Sequence, residues 1–340
     1  MDRLKEILKL QQDPTGGAVP LNEETVELIV TAVEDIVEDG KGSNLLTFVA
    51  PLVKGKDVGD TLAYAAARGQ FVAGDRPIGM RMTAHLCERL EQHRKWEGLR
   101  PILERFLEEM PTPEFSRFAA RLWEKGGSEN APRALLERAH EIAPEDHKLL
   151  WALGQSRLED NDRSGRKLIA ASLPTFARKK DFDRLEEGVL ALVETVDAVE
   201  ADHILDAITE LIKIEEFERV TTIFEFVTEP FQRHGMGRRV WKILHKHLAK
   251  ANNDSPLRKI AVRFGPEAYP DLTEPVKLFE RTGIADENVP IKEALKNLKK
   301  LLELPAGKHV YHHGWGVGQV TDNDGETLLI DFLDKPKHKM

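Results

Sequence analysis

Two six-residue stretches of this chain, 35 residues apart, carry the same residue types in the same order at five of their six positions. Lys180-Asp-Phe-Asp-Arg-Leu185 and Glu215-Glu-Phe-Glu-Arg-Val220 agree over their last five positions: acid, Phe, acid, Arg, aliphatic. A recurrence near 35 residues is the period of tetratricopeptide-type helical hairpins. One such hairpin cannot bury its own apolar face, so its neighbours must cover it and the chain must form an array. Lys95-Trp-Glu-Gly-Leu99 is a fainter copy of the same helix start. Ala134-Leu-Leu-Glu-Arg-Ala-His-Glu-Ile-Ala-Pro-Glu-Asp146, followed by Leu150-Trp-Ala-Leu-Gly154, reads as a hairpin junction, with one helix ending at a proline and the next opening on Leu-Trp. Most small-residue positions of the tetratricopeptide pattern are not met, so the match is one of type. Phe182 and Phe217 are expected to be equivalent anchors, each buried between its own hairpin and the preceding one.

The chain as far as about residue 304 has the same helical grammar, with apolar residues recurring at three and four. In the block 21–36, Val26, Ile29, Val33 and Ile36 form one stripe, and Gly40 stops it. Gly74, Gly98, Pro111, Gly126-Gly127, Pro144 and Pro174 are read as the breaks between further blocks. Ile291, Leu295, Leu298 and Leu302 stripe a last amphipathic helix before Pro305-Ala306-Gly307.

Beyond residue 305 the pattern changes to short β-branched or aromatic runs. These are 308–312, 316–321 and 327–332, divided by Gly314 and by Asn323-Asp-Gly325, a hairpin signal. Three strands in so short a segment read as an SH3-like or Tudor-like module. Such barrels usually have about five strands, and the chain is therefore read as the front part of a longer polypeptide. Gly314, Gly316 and Gly318 suit a sharp bend. They do not suit a phosphate loop, because no helix N-terminus and no Lys-Ser/Thr follow. His312 and His313 point to opposite faces of an extended strand, so they do not share one metal ion. Tyr311 and Trp315, held by Gly314 and Gly316, are the candidates for binding a partner.

Charge adds a second candidate. With 49 Lys+Arg against 58 Asp+Glu the net charge is −9, which excludes polyanion binding by the protein as a whole. Yet between Arg233 and Lys259 eight basic residues face a single acid, Asp254. On a helix over 237–250, Arg239, Lys242, Lys246 and Lys250 share a side, with Arg238 beside them, and Val240, Ile243, Leu244 and Leu248 share another. This basic stretch is read either as a solvated face or as a contact for nucleic acid or an acidic partner.

Several classes fall away. The N-terminus has no apolar h-region and no run approaches a bilayer span, so a cytoplasmic protein without membrane contact is expected. The single cysteine, Cys87, leaves no intramolecular disulfide or multi-Cys zinc site and is read as a small core residue. No nucleophile–base set is apparent, and His203, His245 and His247 lie in helical contexts. The chain is therefore expected not to be an enzyme, with no cofactor and no small-molecule substrate.

One resemblance is carried by the C-terminal residues. Leu298-Lys-Lys-Leu-Leu-Glu-Leu304, Pro305-Ala-Gly-Lys-His-Val-Tyr-His312, Gly314-Trp-Gly-Val-Gly-Gln-Val320, Leu328-Leu-Ile-Asp-Phe332 and the final Lys-Pro-Lys-His-Lys-Met follow the order seen in long bacterial Gre-type transcription elongation factors. The likeness is sharp over 291–340 and general before it. It implies a role at RNA polymerase, with a helical region preceding a coiled coil and a polymerase-binding domain. It also implies that the acidic coiled-coil tip that directs transcript cleavage lies outside these residues, so cleavage activity is not carried over. The expected architecture is mainly α: a TPR-like α-helical solenoid over 1–286, a connecting helix at 287–304, and a short, incomplete SH3/Tudor-like β module at 305–340.

Overall fold

The structure is a computed structural model, and it describes residues 23–39, positions 68, 69, 84, 87, 88, 90–92 and 94, and residues 96–340 except 110, 273 and 326. Gly40 and Gly74 lie outside the described residues, as does the side chain of Val26. Thirteen α-helices among the described residues precede a small antiparallel sheet. The chain divides into two compact units, residues 1–160 and 161–340.

The first unit holds α1 (Glu23–Glu38), α2 (Trp96–Glu109), α3 (Pro113–Asn130), α4 (Arg133–Ile142) and α5 (His147–Glu159). Ile29, Val33 and Ile36 are buried on α1 as their spacing predicts, together with Val30 and Ala32. At its surface Arg105 bridges Glu27 (3.1 Å) and Glu109 (3.0 Å), and Arg68 joins the same two carboxylates. Cys87 is fully buried, and burial pushes its thiol up to about 12. Gly98 does not break the chain but lies inside α2. A helical glycine costs about 1 kcal/mol, less than the fully buried Leu99, Leu103, Phe106 and Leu107 contribute. Gly126-Gly127 does kink α3, with Gly127 at φ 54°. The 134–154 pattern gives the expected boundaries: α4 ends before Pro144, and α5 is capped by Asp146, whose carboxylate accepts from the Lys148 and Leu149 amides.

The second unit begins with α6 (Gly165–Lys179), α7 (Phe182–Leu192), α8 (Ala198–Lys213) and α9 (Phe217–Arg233). Here the 35-residue recurrence is visible as backbone geometry. Lys180 and Glu215 both adopt left-handed conformations, at φ 60° and 63°. The amides of Lys180 and Asp181 donate to the carbonyls of Ala177 and Phe176, and those of Glu215 and Glu216 donate to Ile212 and Leu211. The two hairpin turns thus share one backbone hydrogen-bond pattern, and α6 packs on both α7 and α8. Phe182 and Phe217 open α7 and α9, but each is only half-buried. Standing at the first helical position, neither is the fully buried anchor that the repeat predicts. The guanidinium of Arg219 covers the Phe182 ring at 4.0 Å.

The left-handed residues invite a direct check. A side chain costs about 1 kcal/mol in that region and glycine does not. Lys180→Gly combined with Glu215→Gly should therefore raise the stability of the second unit by about 1–2 kcal/mol in urea unfolding. A loss of stability would show that the two turns are not held as described.

Pro174 lies inside α6 rather than at a break. An interior proline costs roughly 3 kcal/mol, and the burial of Ile169, Leu173 and Phe176 around it offsets that cost. Arg166 pins the α6–α8 contact, reaching both oxygens of buried Glu200 at 2.9 Å and the carbonyls of Ala191 and Leu192. Glu200 also closes a capping box with Asp197 at the start of α8.

Then follow α10 (Gly237–Leu248), α11 (Leu257–Phe264), α12 (Pro275–Arg281) and α13 (Ile291–Glu303). Arg258 is buried, and no carboxylate among the described residues pairs with it. Its guanidinium donates to the carbonyls of Ile284 (2.8 Å), Asn253 (2.8 Å), Gly283 (3.0 Å), Val289 (2.9 Å) and Asp286. It shapes the 283–289 loop that leads into α13. On α13 the buried line is Ile291, Ala294, Leu298 and Leu301, while Leu295 and Leu302 are half-buried. The inward face is therefore turned slightly from the expected stripe.

The sheet is a four-strand meander of β1 (His309–His312), β2 (Gly316–Asn323), β3 (Leu328–Phe332) and β4 (Lys335–Lys339). The first three match the expected strands, and β4 is additional. Arg281 binds Asp322 and the Asn323 carbonyl (2.7 Å), Asn323 donates to the Leu304 carbonyl (2.9 Å), and Lys308 donates to that of Glu303 (2.6 Å). These bonds fasten the sheet to α12 and α13.

Candidate protein-interaction surfaces

The sheet has one small core of Val320, Ile330 and Phe332, with Val310, Trp315 and Leu328 half-buried against it. Alternation along β1 and β2 decides what faces outward. Val310 and Gly318 face inward as a register pair, so Tyr311 and its partner Val317 face solvent. They are 69% and 62% exposed, an aromatic and a β-branched side chain side by side on a free surface. β1 is also an edge strand.

Trp315 does not share that face. Its ring stacks on His312 (centroids 4.1 Å apart, 16° between planes), meets His338 edge-on at 4.1 Å, and lies 5.6 Å from Phe332. The Lys335 ammonium sits 4.6 Å from the same ring. Trp315 thus closes one end of the core, and Tyr311 is the accessible aromatic of the pair. Gly316 has φ 73°, and the Gly314 amide donates to His312 Nδ1 at 3.1 Å, so the two glycines shape the 312–316 turn. The sequence reading missed His338 and Lys335, because a Lys-Pro-Lys-His-Lys run carries no apolar alternation.

The basic stretch separates into two kinds of residue. Arg233 pairs with Glu229, Arg239 with Asp202, and Arg258 with backbone carbonyls. Arg238, Lys242, Lys246 and Lys250 are exposed and form no ion pair with the described residues. On the inner side of α10, Val240, Leu244 and Leu248 are buried as expected and Ile243 is half-buried. Trp241 is buried too, its Nε1 donating to the Tyr269 hydroxyl at 3.1 Å and its ring packed edge-on against Phe279. His247 is half-buried, and burial first, with Lys246, Lys250 and Lys213 after it, holds its imidazole below its ordinary pKa. An open groove of about 670 Å³ runs between α10 and residues 266–272. Nothing local in the sequence signals that Trp241 and Tyr269 meet there.

Among the described residues, no three His, Cys, Asp or Glu side chains gather as a metal site would need, and no helix is long and apolar enough to cross a membrane. What the structure defines is a mainly helical chain with a four-strand antiparallel sheet after the helices, an exposed apolar pair on that sheet, and cations on α10 that form no ion pair with the described residues. The chain is distantly similar to the transcription elongation factor GreA of Borreliella burgdorferi, 19% identical over 306 residues. The match covers 90% of this chain and 34% of that protein, so the chain spans about a third of the relative's length. No family model matches the chain, and no solved structure matches it.

Proposed function

We propose that this chain is a non-catalytic protein-binding part of a Gre-type transcription elongation factor, acting at RNA polymerase. The observation that carries this reading is the similarity to a transcription elongation factor over 90% of the chain. A shared short motif would not reach so far. In this reading the α6–α7 and α8–α9 hairpins are successive units of a TPR-like solenoid, and the sheet is an SH3/Tudor-like module.

The surface chemistry supports protein binding through the sheet. An edge strand offers backbone hydrogen bonds to a partner strand, and side chains beside it set specificity. Aromatic residues on an otherwise polar rim are the usual anchors. Tyr311 meets both conditions, and exposed Val317 of β2 lies beside it as its register partner. The chain should co-purify with bacterial RNA polymerase, and Tyr311→Ala with Val317→Ser should weaken that association at least about tenfold. Far-UV circular dichroism should stay unchanged, because neither side chain is in the core. Undiminished polymerase association in this variant would overturn the role given to the sheet.

A further inference from the structure

The groove between α10 and residues 266–272 is built by side chains of three kinds. Arg238 and Lys242 line the α10 bank, one helical turn apart, and neither has an ionic partner among the described residues. Trp241 and Tyr269, joined by their hydrogen bond, lie between the banks, with Leu272 beyond them. Glu267 and Asp271 stand on the far bank. Many exposed arginines of this chain have a carboxylate partner at one helical turn or across helices, whereas Arg238 faces the open groove without one among the described residues. Two cations beside an aromatic and a leucine suit a ligand with carboxylates on one side and apolar groups on the other.

Polyphosphate ligands fit this groove less well. Glu267 and Asp271 would repel a phosphodiester backbone lying along the groove. Trp241 is only 5% exposed, so its face is not free to stack on a base. A peptide carries its carboxylates on side chains that can all lie toward the α10 bank, while its backbone amides meet the far bank. We infer that this groove binds an acidic, apolar-containing peptide segment of a protein partner, with Arg238 and Lys242 taking its carboxylates and Tyr269 and Leu272 its apolar side chains. The inference is independent of the polymerase reading, because it rests on the groove alone.

The test uses the full chain and a short fluorescein-labelled peptide of alternating Glu, Leu and Phe, with the same peptide carrying Lys in place of Glu as control. Fluorescence anisotropy at low salt should show saturable binding of the Glu peptide only. Arg238→Glu with Lys242→Glu should weaken it at least tenfold, whereas Arg233→Glu, outside the groove, should leave it unchanged. Should the double reversal unfold the chain by circular dichroism, Lys242→Ala alone should still weaken binding severalfold. Absence of binding by the unaltered chain, equal binding of the Lys peptide, or indifference to the groove substitutions would overturn the proposal. Preferential binding of a labelled oligothymidine would overturn it as well, in favour of a nucleic-acid site.

Discussion

Replacing Arg258 by alanine is expected to cost the second unit about 3–5 kcal/mol, because a buried cation and the groups it satisfies are lost together. Five backbone carbonyls from Asn253 and the 283–289 loop converge on one guanidinium. Without it the buried Ile284 carbonyl and the part-buried carbonyls around it lose their shared donor, and each acceptor that water does not reach costs about 1–3 kcal/mol. Lysine is no substitute, since a single ammonium has three donors and no planar fork to span five acceptors. Arg258→Lys should therefore fall between the wild type and Arg258→Ala in urea unfolding. A loss below about 1 kcal/mol in the alanine variant would mean that the loop finds other donors.

Gly318→Val should unfold the sheet while leaving the helices in place as far as the last turn of α13. A Cβ at position 318 would lie 2.5 Å from Phe332 and 2.7 Å from Ile330, two of the three buried residues of that core. Overpacking of this kind costs about 3 kcal/mol. A core of three buried side chains has little stability to lose. Limited proteolysis should then cut the variant within 305–340 and spare the helices ahead of it. Resistance equal to the wild type would show that the sheet can widen around the valine.

The helices were legible because their signal is local. Ile29, Val33 and Ile36, or Pro144 between α4 and α5, act within one or two turns of themselves. The 35-residue recurrence was legible too, and it reappears as matched turns at Lys180 and Glu215. Tertiary burial overrode the breaks assigned to Gly98 and Pro174, as it can wherever a helix has a strong apolar face. β4 could not be read from its residues. Lys335-Pro-Lys-His-Lys339 becomes a strand only because Ile330 and Phe332 present a ladder to it, pairing with His338 and Lys335. Arg258 misled for the same reason. In sequence it is one more cation of a basic run, and only the folded loop brings carbonyls around it. At the sheet, Tyr311 and Trp315 looked alike as aromatics near glycines; the register of β1 against β2 turns Tyr311 outward, and the 312–316 turn folds Trp315 onto the core.

The bonds joining the sheet to α12 and α13 determine what happens when the polypeptide is divided. A chain ending at Leu304 would lose the Asn323 amide that satisfies the Leu304 carbonyl, and Arg281 would lose both Asp322 and the Asn323 carbonyl. Leu301, now next to Gly325, would gain exposed surface. The last helical turn of α13 would then fray, because its terminal carbonyls have exchanged a protein donor for water. Such a shortened protein differs from the intact one in the helices it keeps as well as in the strands it lacks. Loss of binding after this cut would therefore not by itself assign the contact to the sheet.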